Sequence, residues 1–538
     1  MSMVKLTING MPVEVPAGST VLEAARIAGV RIPTLCYLKD INEIGACRMC
    51  LVEVKGARSL VTSCVYPVTE GMEVFTNTPA VQRSHKATLE LLMSNHRKDC
   101  LSCPRSTDCE LQALCREFGV DEYKYSREEI QPDIDDSAIH LIRDNSKCIL
   151  CRRCVAVCRK NQFVGVIGPN DRGYDSHIGS AFDMPLDKTS CINCGQCIAV
   201  CPTGALTEKD DTHKVWAALA DPTKHVVVGT APSVRAQLGE CFGMPIGTNV
   251  EGKMVSSLRR LGFDKVFETY YPDMIENLSS CKSPQGMFGA LIRTYYAEKH
   301  GIDPKDIFIV SIMPCTAKKF EVSRTELSEG GLPDIDVSLT TRELADMIKK
   351  AGLMFTALPD EEFDPFLGVA SGAGHIFGAT GGVMEAALRT VYEVVTGEEC
   401  KPLEFHGVRG VEAIKEAEYD LNGTKVRVAV TSGLSNAAKL LDRVKSGEAD
   451  YHFIEVMACP GGCVNGGGQP HQPAEVRNFI DLRAERAKAL YREDAAMSLR
   501  KSHENPVIKE IYEDYLGEPG GHKSHELLHT HYVKRSIF

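Results

Sequence analysis

The sequence predicts a multidomain protein: small α+β domains at the N-terminus, then a larger α/β domain with parallel strands, then a helical tail. Three observations carry that prediction. A chain of 538 residues has room for three or four domains at about 150 residues each. Most of its 22 cysteines fall in short, closely spaced sets before residue 205. From Lys224 the texture changes to apolar runs that end in Ser, Gly, Pro or Cys, with helical patterns between them.

Residues 3–15 alternate in polarity around Asn9-Gly10, which is a β-hairpin signal. GSTVLEAARIAGV follows, with Ser19 or Thr20 as the N-cap, Glu23 near the third helical position and Gly29 at the stop. CYLKDINEIGACRMCLVEV leads into another strand, and Cys64 closes a small α+β domain over 1–80. Residues 81–120 read as helical around HRKDCLSCPRSTDC, and the acidic stretch 121–140 reads as a linker. A compact cysteine-dense unit fits 138–211. In 224–472, HVVVGTAPSV, DIFIVSIMPC, KVRVAVTSG and YHFIEVMACP alternate with helical TTRELADMIKKAG and GGVMEAALRTVYEVV. Near-continuous apolar strands between helices point to parallel sheet, with chemistry at the carboxyl ends of the strands. Residues 473–538 are helical, charged and His-rich.

Net charge is −11, with no basic stripe, so a nucleic-acid partner is not expected. The start MSMVKLTING lacks a charged-then-apolar leader layout. No apolar run reaches the length of a membrane span. A long chain whose cysteines stand in C-x2-C sets reads as metal ligation in a reducing compartment. A cytoplasmic location is the expectation.

CILCRRCVAVC supplies Cys148, Cys151, Cys154 and Cys158; CINCGQCIAVCP supplies Cys191, Cys194, Cys197 and Cys201. Both are the C-x2-C-x2-C-x3-C run of two-cluster ferredoxins, in which the fourth cysteine of each run serves the other cluster. Cys148, Cys151, Cys154 and Cys201 are therefore assigned to one 4Fe–4S cluster, and Cys191, Cys194, Cys197 and Cys158 to the other. Proline follows the second run at Pro202, but Arg159 follows the first. Cys36, Cys47, Cys50 and Cys64, on a strand-rich domain, suggest a 2Fe–2S cluster, although their spacing alone also suits zinc. His96, Cys100, Cys103 and Cys109 suit either zinc or a third accessory 4Fe–4S cluster with one nitrogen ligand. Several clusters on one chain make a path for electrons toward a site that exchanges them.

IMPCTAKKFE supplies Cys315, Lys318 and Glu321, and MACPGGCVNGGGQP supplies Cys459 and Cys463. These two stretches resemble two of the three signature segments of iron-only (FeFe) hydrogenases. The resemblance extends to APSVR, LSSCKSPQ, SGAGHIFGATGGVMEAALR, the order of the preceding domains, and a tail similar to the family's small subunit. It implies reversible production of hydrogen from protons and electrons at an H-cluster, a 4Fe–4S cubane joined to a two-iron unit that carries CO, cyanide and a bridging dithiolate amine. Cys315 and Cys459 then match cubane ligands, and Cys463 matches the thiolate that bridges cubane and two-iron unit. Lys318 matches the donor to a cyanide; Ser233, Gln285, Met313, Phe377 and Met457 match the pocket lining; Ser279 and Glu321 match a proton path. Gly461, Gly462, Gly466, Gly467 and Gly468 would let backbone approach the inorganic core. The implied partners are ferredoxin or NADH-linked electron-transfer subunits, and proteins that assemble the H-cluster.

One signature is absent. The family segment close to T-S-C-C-P-x-W supplies the fourth cubane ligand and the proton donor, yet this chain contains no adjacent Cys-Cys pair, and its one Trp is Trp216. GFDKVFETYYPDMIENLSSCKSPQ runs straight through the place where about three dozen family residues would stand. Cys281 is the unassigned cysteine best placed in sequence, but LSSCKSPQ matches a family segment of its own, which makes Cys281 a neighbouring thiol. Two further readings follow: an iron–sulfur electron-transfer or redox-sensing subunit that has lost the catalytic metal site, and, because the N-terminal half resembles the cluster-bearing large subunit of respiratory NADH dehydrogenase, a docked electron-transfer subunit.

Overall fold

The computed structural model describes residues 2–121, 124–125, 130–269, 280–365, 369–401 and 403–531. The N-terminal hairpin forms as the alternation predicts: Met3–Ile8 pairs with Met11–Pro16, and Asn9 and Gly10 take the left-handed conformations of the turn. The helix Val21–Ile27 starts in a full capping box between Thr20 and Glu23. With Glu73–Phe75, Leu51–Val54 and Val61–Thr62 the hairpin makes a five-stranded sheet around an apolar core that includes Ile8, Val15, Val52 and Val74. Helices Pro79–Ser94 and Glu110–Glu117 follow, enclosing the loop that carries Cys100 and Cys103.

The cysteine-dense unit has two short helices, Arg153–Lys160 and Gln196–Val200, related by an internal repeat. Leu150 and Arg152 in the first loop, and Asn193 and Gly195 at the matching positions of the second, all have positive φ. Left-handed residues are uncommon outside glycine, and here they curl each loop so that its cysteines face inward. The stretch read as a linker contains a strand, Ile134–Asp135, which extends the sheet of Leu141–Asp144 and Leu206–Glu208.

The α/β region has two sheets. The first is wholly parallel, in the order Lys265–Glu268, His225–Thr230, Ile307–Met313, Val337–Thr340. Side chains alternate across it, so Val226, Val228, Val310 and Ile312 face the helices Glu251–Leu261 and Thr341–Lys350. Val227, Ile307 and Ile309 face the other layer, where Pro284–Leu291 packs with tail residues Ile508, Ile511, Leu527 and Leu528. Burial on both faces explains the unbroken apolar runs.

The second sheet departs from the all-parallel expectation. Thr424–Ser432 pairs in parallel with Phe453–Met457 but antiparallel with Ile414–Leu421, through a turn at Asn422-Gly423. IKEAEYDL alternates in polarity and is exposed on one face, so it lacks the apolar run by which the other strands are recognised. The tail is helical, as expected, over Leu482–Ala496, Pro506–Ile511 and His522–Leu528. It is tied to the α/β layers by the fully buried Arg389, which donates to both oxygens of Asp494 at 2.7 and 2.8 Å and to Glu385 at 2.6 Å.

Candidate metal centres and the three-cysteine pocket

The thiols of the N-terminal domain come together in pairs. Cys50 and Cys64 have sulfurs 3.3 Å apart, and the Cys47 backbone N–H donates to Cys36 Sγ at 3.5 Å. Hydrogen bonding with Cys36 holds the Cys47 thiol down to about 6, and hydrogen bonding with Cys64 lowers Cys50. Each pair thus has one member ready to ionise, which suits soft-metal ligation.

His96 is buried, and burial pushes its imidazole down to about 4. It is therefore neutral, with an Nδ1 that has no hydrogen-bond partner, which is the form a metal ligand requires. Cys109 caps the helix that follows and lies within reach of Cys103. This set abuts the next one. Cys109 Sγ donates to the Pro202 carbonyl at 3.6 Å, and a Cβ on Gly204 would lie 2.5 Å from Cys103 Sγ.

In the dicluster unit, sulfurs from the two runs lie together. Burial pushes the Cys154 thiol far up, and Cys151, Cys148 and Cys201 add like charge. Cys197 is likewise raised by burial and then by Cys194, Cys191 and Cys158. Cys148, Cys151, Cys154 and Cys201 line one small cavity; Cys158, Cys191, Cys194 and Cys197 line another. Thiols so crowded and buried stay protonated until a cation arrives, so cluster assembly must release protons.

Polar side chains that no local pattern marks join these sets. Asn42 is buried between two sets and donates to the Cys36 carbonyl at 2.8 Å and the Cys151 carbonyl at 3.0 Å. Arg105 donates to the Cys201 carbonyl at 3.1 Å, and Arg477, from the start of the tail, donates to the Ala199 carbonyl at 2.6 Å. A residue whose only task is to bind a carbonyl in a distant segment leaves no local pattern.

The pocket lies where the carboxyl ends of both sheets meet. Met313 is the last residue of its strand, and Pro314-Cys315 turns directly out of it. Met457 ends its own strand and delivers Cys459. The loop 459–468 then closes the gap. Gly461 N–H donates to Ser432 Oγ at 3.1 Å, Thr380 N–H donates to the Gly461 carbonyl at 3.1 Å, and Gly468 N–H donates to the Pro314 carbonyl at 2.8 Å. Cys459 is raised by burial, with Cys315, Cys194 and Cys463 adding to the effect; Cys463 is pushed up to about 12 by burial and then by Cys315. With Gly466 and Gly468 packed on the Pro314 carbonyl, the loop that carries Cys459 and Cys463 lies against the turn that carries Cys315, and Cys194 approaches Cys459 from the ferredoxin side. Gln196 of the ferredoxin helix donates to Cys459 Sγ at 3.3 Å.

Three glycines of this loop also have a reason within the protein itself. A Cβ on Gly466 would strike the Pro314 carbonyl, one on Gly468 would strike the Thr340 side chain, and one on Gly467 would strike the Cys194–Gly195 backbone. They allow close approach of protein to protein. Thr316 Oγ1 adds a 2.8 Å hydrogen bond to the Asn193 carbonyl, so the second ferredoxin loop is docked onto the pocket wall. Arg342 fastens the loop's far end, donating to the Gly467 carbonyl at 2.8 Å and the Gln469 carbonyl at 2.5 Å.

The remaining predicted residues surround this point. Ser233 is buried with an unpartnered Oγ, beside Gly378 and hence next to Phe377. Its turn is anchored by the fully buried Arg235, which pairs with Glu268 and Glu251 and meets His375 Nε2 at 3.2 Å. Gln285 is buried and accepts from Ser311 Oγ at 2.8 Å. Met313 is buried and Met457 half-buried. Lys318 Nζ donates to Glu321 Oε2 at 2.6 Å; burial acts to lower its pKa, but Glu321, Cys315 and Cys463 outweigh that and hold it above the usual lysine range. Glu321 also accepts from Ser283 Oγ and, at 3.2 Å, from Gln285 Nε2. Ser279 lies outside the described residues, as does most of the junction that follows Thr269.

Apart from Cys194, which approaches Cys459 but lines the second ferredoxin cavity, no further cysteine is placed at these three. All 22 cysteines lie in the described residues. Cys115 packs beside Leu111 and Leu114, Cys241 beside Phe242 and Met244, and Cys400 beside Phe405 and Val408. Cys281 lies in the core under the tail, 3.9 Å from His529 Nε2, in a backbone bridge with that residue. The pocket offers three thiolates where an H-cluster cubane takes four, so the residues present do not complete that group.

The description "Iron only hydrogenase large subunit, C-terminal domain" matches residues 224–271 and 267–467. Over 587 aligned positions the chain is 46% identical to the NADP-reducing hydrogenase subunit HndD of Solidesulfovibrio fructosivorans, covering 99% of this chain and all of that one. The chain belongs to the iron-only hydrogenase family. It is also 42% identical to Iron hydrogenase 1 of Clostridium pasteurianum, covering 99% of this chain and all of the relative. A solved structure of FeFe hydrogenase HydA1 from Chlamydomonas reinhardtii superposes with a TM-score of 0.52 at 39% identity, covering 60% of this chain and 98% of that one. The other matched descriptions are a 2Fe–2S binding domain at 1–79, the NADH-ubiquinone oxidoreductase-G iron–sulfur region at 85–124, a 4Fe–4S dicluster domain at 147–205 and the iron hydrogenase small subunit at 480–535. This hydrogenase-family chain therefore carries 2Fe–2S and 4Fe–4S binding domains ahead of a hydrogenase domain. The family match divides into two pieces that meet at 267–271, where the signature segment is missing, and the alignment with HndD is longer than the chain itself. Among the described residues no helix is long and apolar enough to cross a membrane.

Proposed function

We propose that this chain is the electron-conducting hydrogenase subunit of a larger redox assembly, passing electrons between a partner and the pocket at Cys315, Cys459 and Cys463. In this reading Cys36, Cys47, Cys50 and Cys64 hold a 2Fe–2S cluster. His96, Cys100, Cys103 and Cys109 hold a 4Fe–4S cluster, and the two crossed ferredoxin sets hold two more. The reaction served is the reversible reduction of protons to hydrogen, with electrons supplied by ferredoxin or by an NADH- or NADP-linked subunit in the cytoplasm.

The observation that carries the reading is the unbroken series of contacts from one cysteine set to the next. Asn42 bridges the first set to Cys151, Pro202 and Gly204 meet the His96 set, and Cys194–Gly195 lies against Gly467 beside the pocket. Within the pocket, Lys318 keeps a positive charge between Cys315 and Cys463, and Glu321 orients that ammonium. Ser283 and Gln285 hold Glu321 in turn. A buried cation beside thiolates favours anionic ligands there.

The incomplete thiolate set favours a second reading, in which the accessory clusters carry electrons but the pocket does not turn over hydrogen. One experiment separates the two. The chain is matured anaerobically with hydrogenase assembly proteins and assayed for hydrogen evolution with reduced methyl viologen, alongside infrared bands for CO and cyanide. Both signals are expected for the first reading; intact accessory-cluster paramagnetic resonance with neither signal selects the second.

A further inference from the structure

Each iron of a 4Fe–4S cubane needs one ligand beyond the sulfides, and a fully protein-held cluster takes four. The pocket supplies three. Cys459 and Cys463 stand on the loop whose Gly466 and Gly468 pack on the Pro314 carbonyl next to Cys315, while Cys115, Cys241, Cys281 and Cys400 are each packed in a different part of the fold. Cys194 does come near Cys459, but it stands with Cys191, Cys197 and Cys158 around their own cavity. Drawing it away would strip that set and undo the docking of Gly195 against Gly467. The loop has no slack to bring another thiol in, because Pro314, Ser432, Thr380 and Arg342 fasten it by hydrogen bonds on several sides.

We propose that Cys315, Cys459 and Cys463 hold a 4Fe–4S cubane on three thiolates, leaving one iron without a protein thiolate and open to a small anionic ligand beside Lys318. The proposal rests on the reading that these three cysteines bind a cluster at all. Lys318, three residues on from Cys315 and oriented by Glu321, supplies a cation for such a ligand. An iron held by a solvent or buffer ligand is also the one most easily lost. On oxidation the cubane gives one electron to the oxidant and then releases one ferrous ion, leaving an oxidised three-iron cluster on the same three thiolates.

The test uses the full chain, reconstituted anaerobically with iron and sulfide, so that no variant has to fold for the main measurement. Ferricyanide, the oxidant, is added stepwise while released ferrous iron and the paramagnetic resonance spectrum are followed. A parallel sample receives cyanide, the anionic probe. The expected result is release of one iron per chain, the near-isotropic signal of a three-iron cluster, and a cyanide-dependent change in the spectrum of one reduced 4Fe–4S cluster. All three should vanish in the double variant Cys315→Ala/Cys459→Ala, whose accessory-cluster signals report that it is folded. If that variant loses a cluster's worth of iron, but the parent chain neither releases iron nor responds to cyanide, the cubane is fully ligated and this inference falls while the reading above stands. A three-iron signal that persists in the variant comes from another cluster and also overturns the inference. If the variant binds as much iron as the parent, no cluster is held at these cysteines and both fall together.

Discussion

Gly467→Ala should uncouple the ferredoxin unit from the pocket. A Cβ at this position would lie 2.6 Å from Gly195 Cα and nearer still to the Cys194 carbonyl and Gly195 carbonyl carbon. All three are backbone atoms, so no side chain can swing aside. Ordinary contact between carbons is about 3.5–4.0 Å, so the two segments must part by about 1 Å. Overpacking of this kind costs about 1–3 kcal/mol, and the upper end applies because both sides are pinned. On one side Thr316 holds the Asn193 carbonyl; on the other Arg342 holds the Gly467 carbonyl. The assay has two parts: thermal unfolding of the reconstituted protein, and the magnetic coupling between the cluster at Cys194 and the one at Cys459. The variant should unfold several degrees lower and show weakened coupling. Gly168→Ala is the control, because its Cβ meets only Arg159 at an ordinary 3.7 Å; a change within about 0.5 kcal/mol is expected there. Wild-type stability together with wild-type coupling in Gly467→Ala would show that the glycine is not required by this contact.

Four further outcomes are expected. Cys158→Ser should damage the cluster at Cys191, Cys194 and Cys197 while sparing the one at Cys148, Cys151 and Cys154, and Cys201→Ser should do the reverse; resonance spectra that assign each loss to the cysteine's own run would refute the crossed arrangement. Arg477→Gln should lower the reduction potential of the cluster beside Cys201 and Arg477→Lys should not, because a cation next to the Ala199 carbonyl favours the reduced cluster; identical potentiometric titrations of the parent and the Gln variant would reject this. Burial holds Lys415 down to about 8, against 10.5 when unfolded, so below pH 8 both states carry its proton and stability does not change with pH through this group. From about pH 8 to 10.5 only the unfolded chain keeps the proton, so this lysine makes stability rise with pH by about 3 kcal/mol, and denaturant titrations of Lys415→Met should lack that rise. Arg389→Met should cost about 1–3 kcal/mol, because it removes one guanidinium from Asp494 and Glu385 while Arg500 still pairs with Asp494 and Arg409 with Glu385, measurable as early detachment of the tail in limited proteolysis.

Much of this protein is local, and that part was legible. The hairpin at Asn9-Gly10, the capping box at Thr20 and the buried parallel strands follow from residue preferences acting over a few positions. Spacing along each tight loop likewise limits which ferredoxin sulfurs can meet. The sequence also determined that a signature segment is missing and that only three cysteines remain for the pocket. Tertiary structure decided the rest. It showed that the strand Ile414–Leu421, exposed on one face, completes the second sheet, and that Cys281 lies under the tail beside His529. It brought Asn42, Gln196, Arg342 and Arg477 to carbonyls and sulfurs hundreds of positions away in some cases. It gave Gly462, Gly466 and Gly467 a reason within the protein, which is backbone packed on backbone. Such contacts depend on where separate segments come to rest, and a hydrogen-bond donor needs only to arrive within about 3 Å of its carbonyl, whatever stands beside it in the chain.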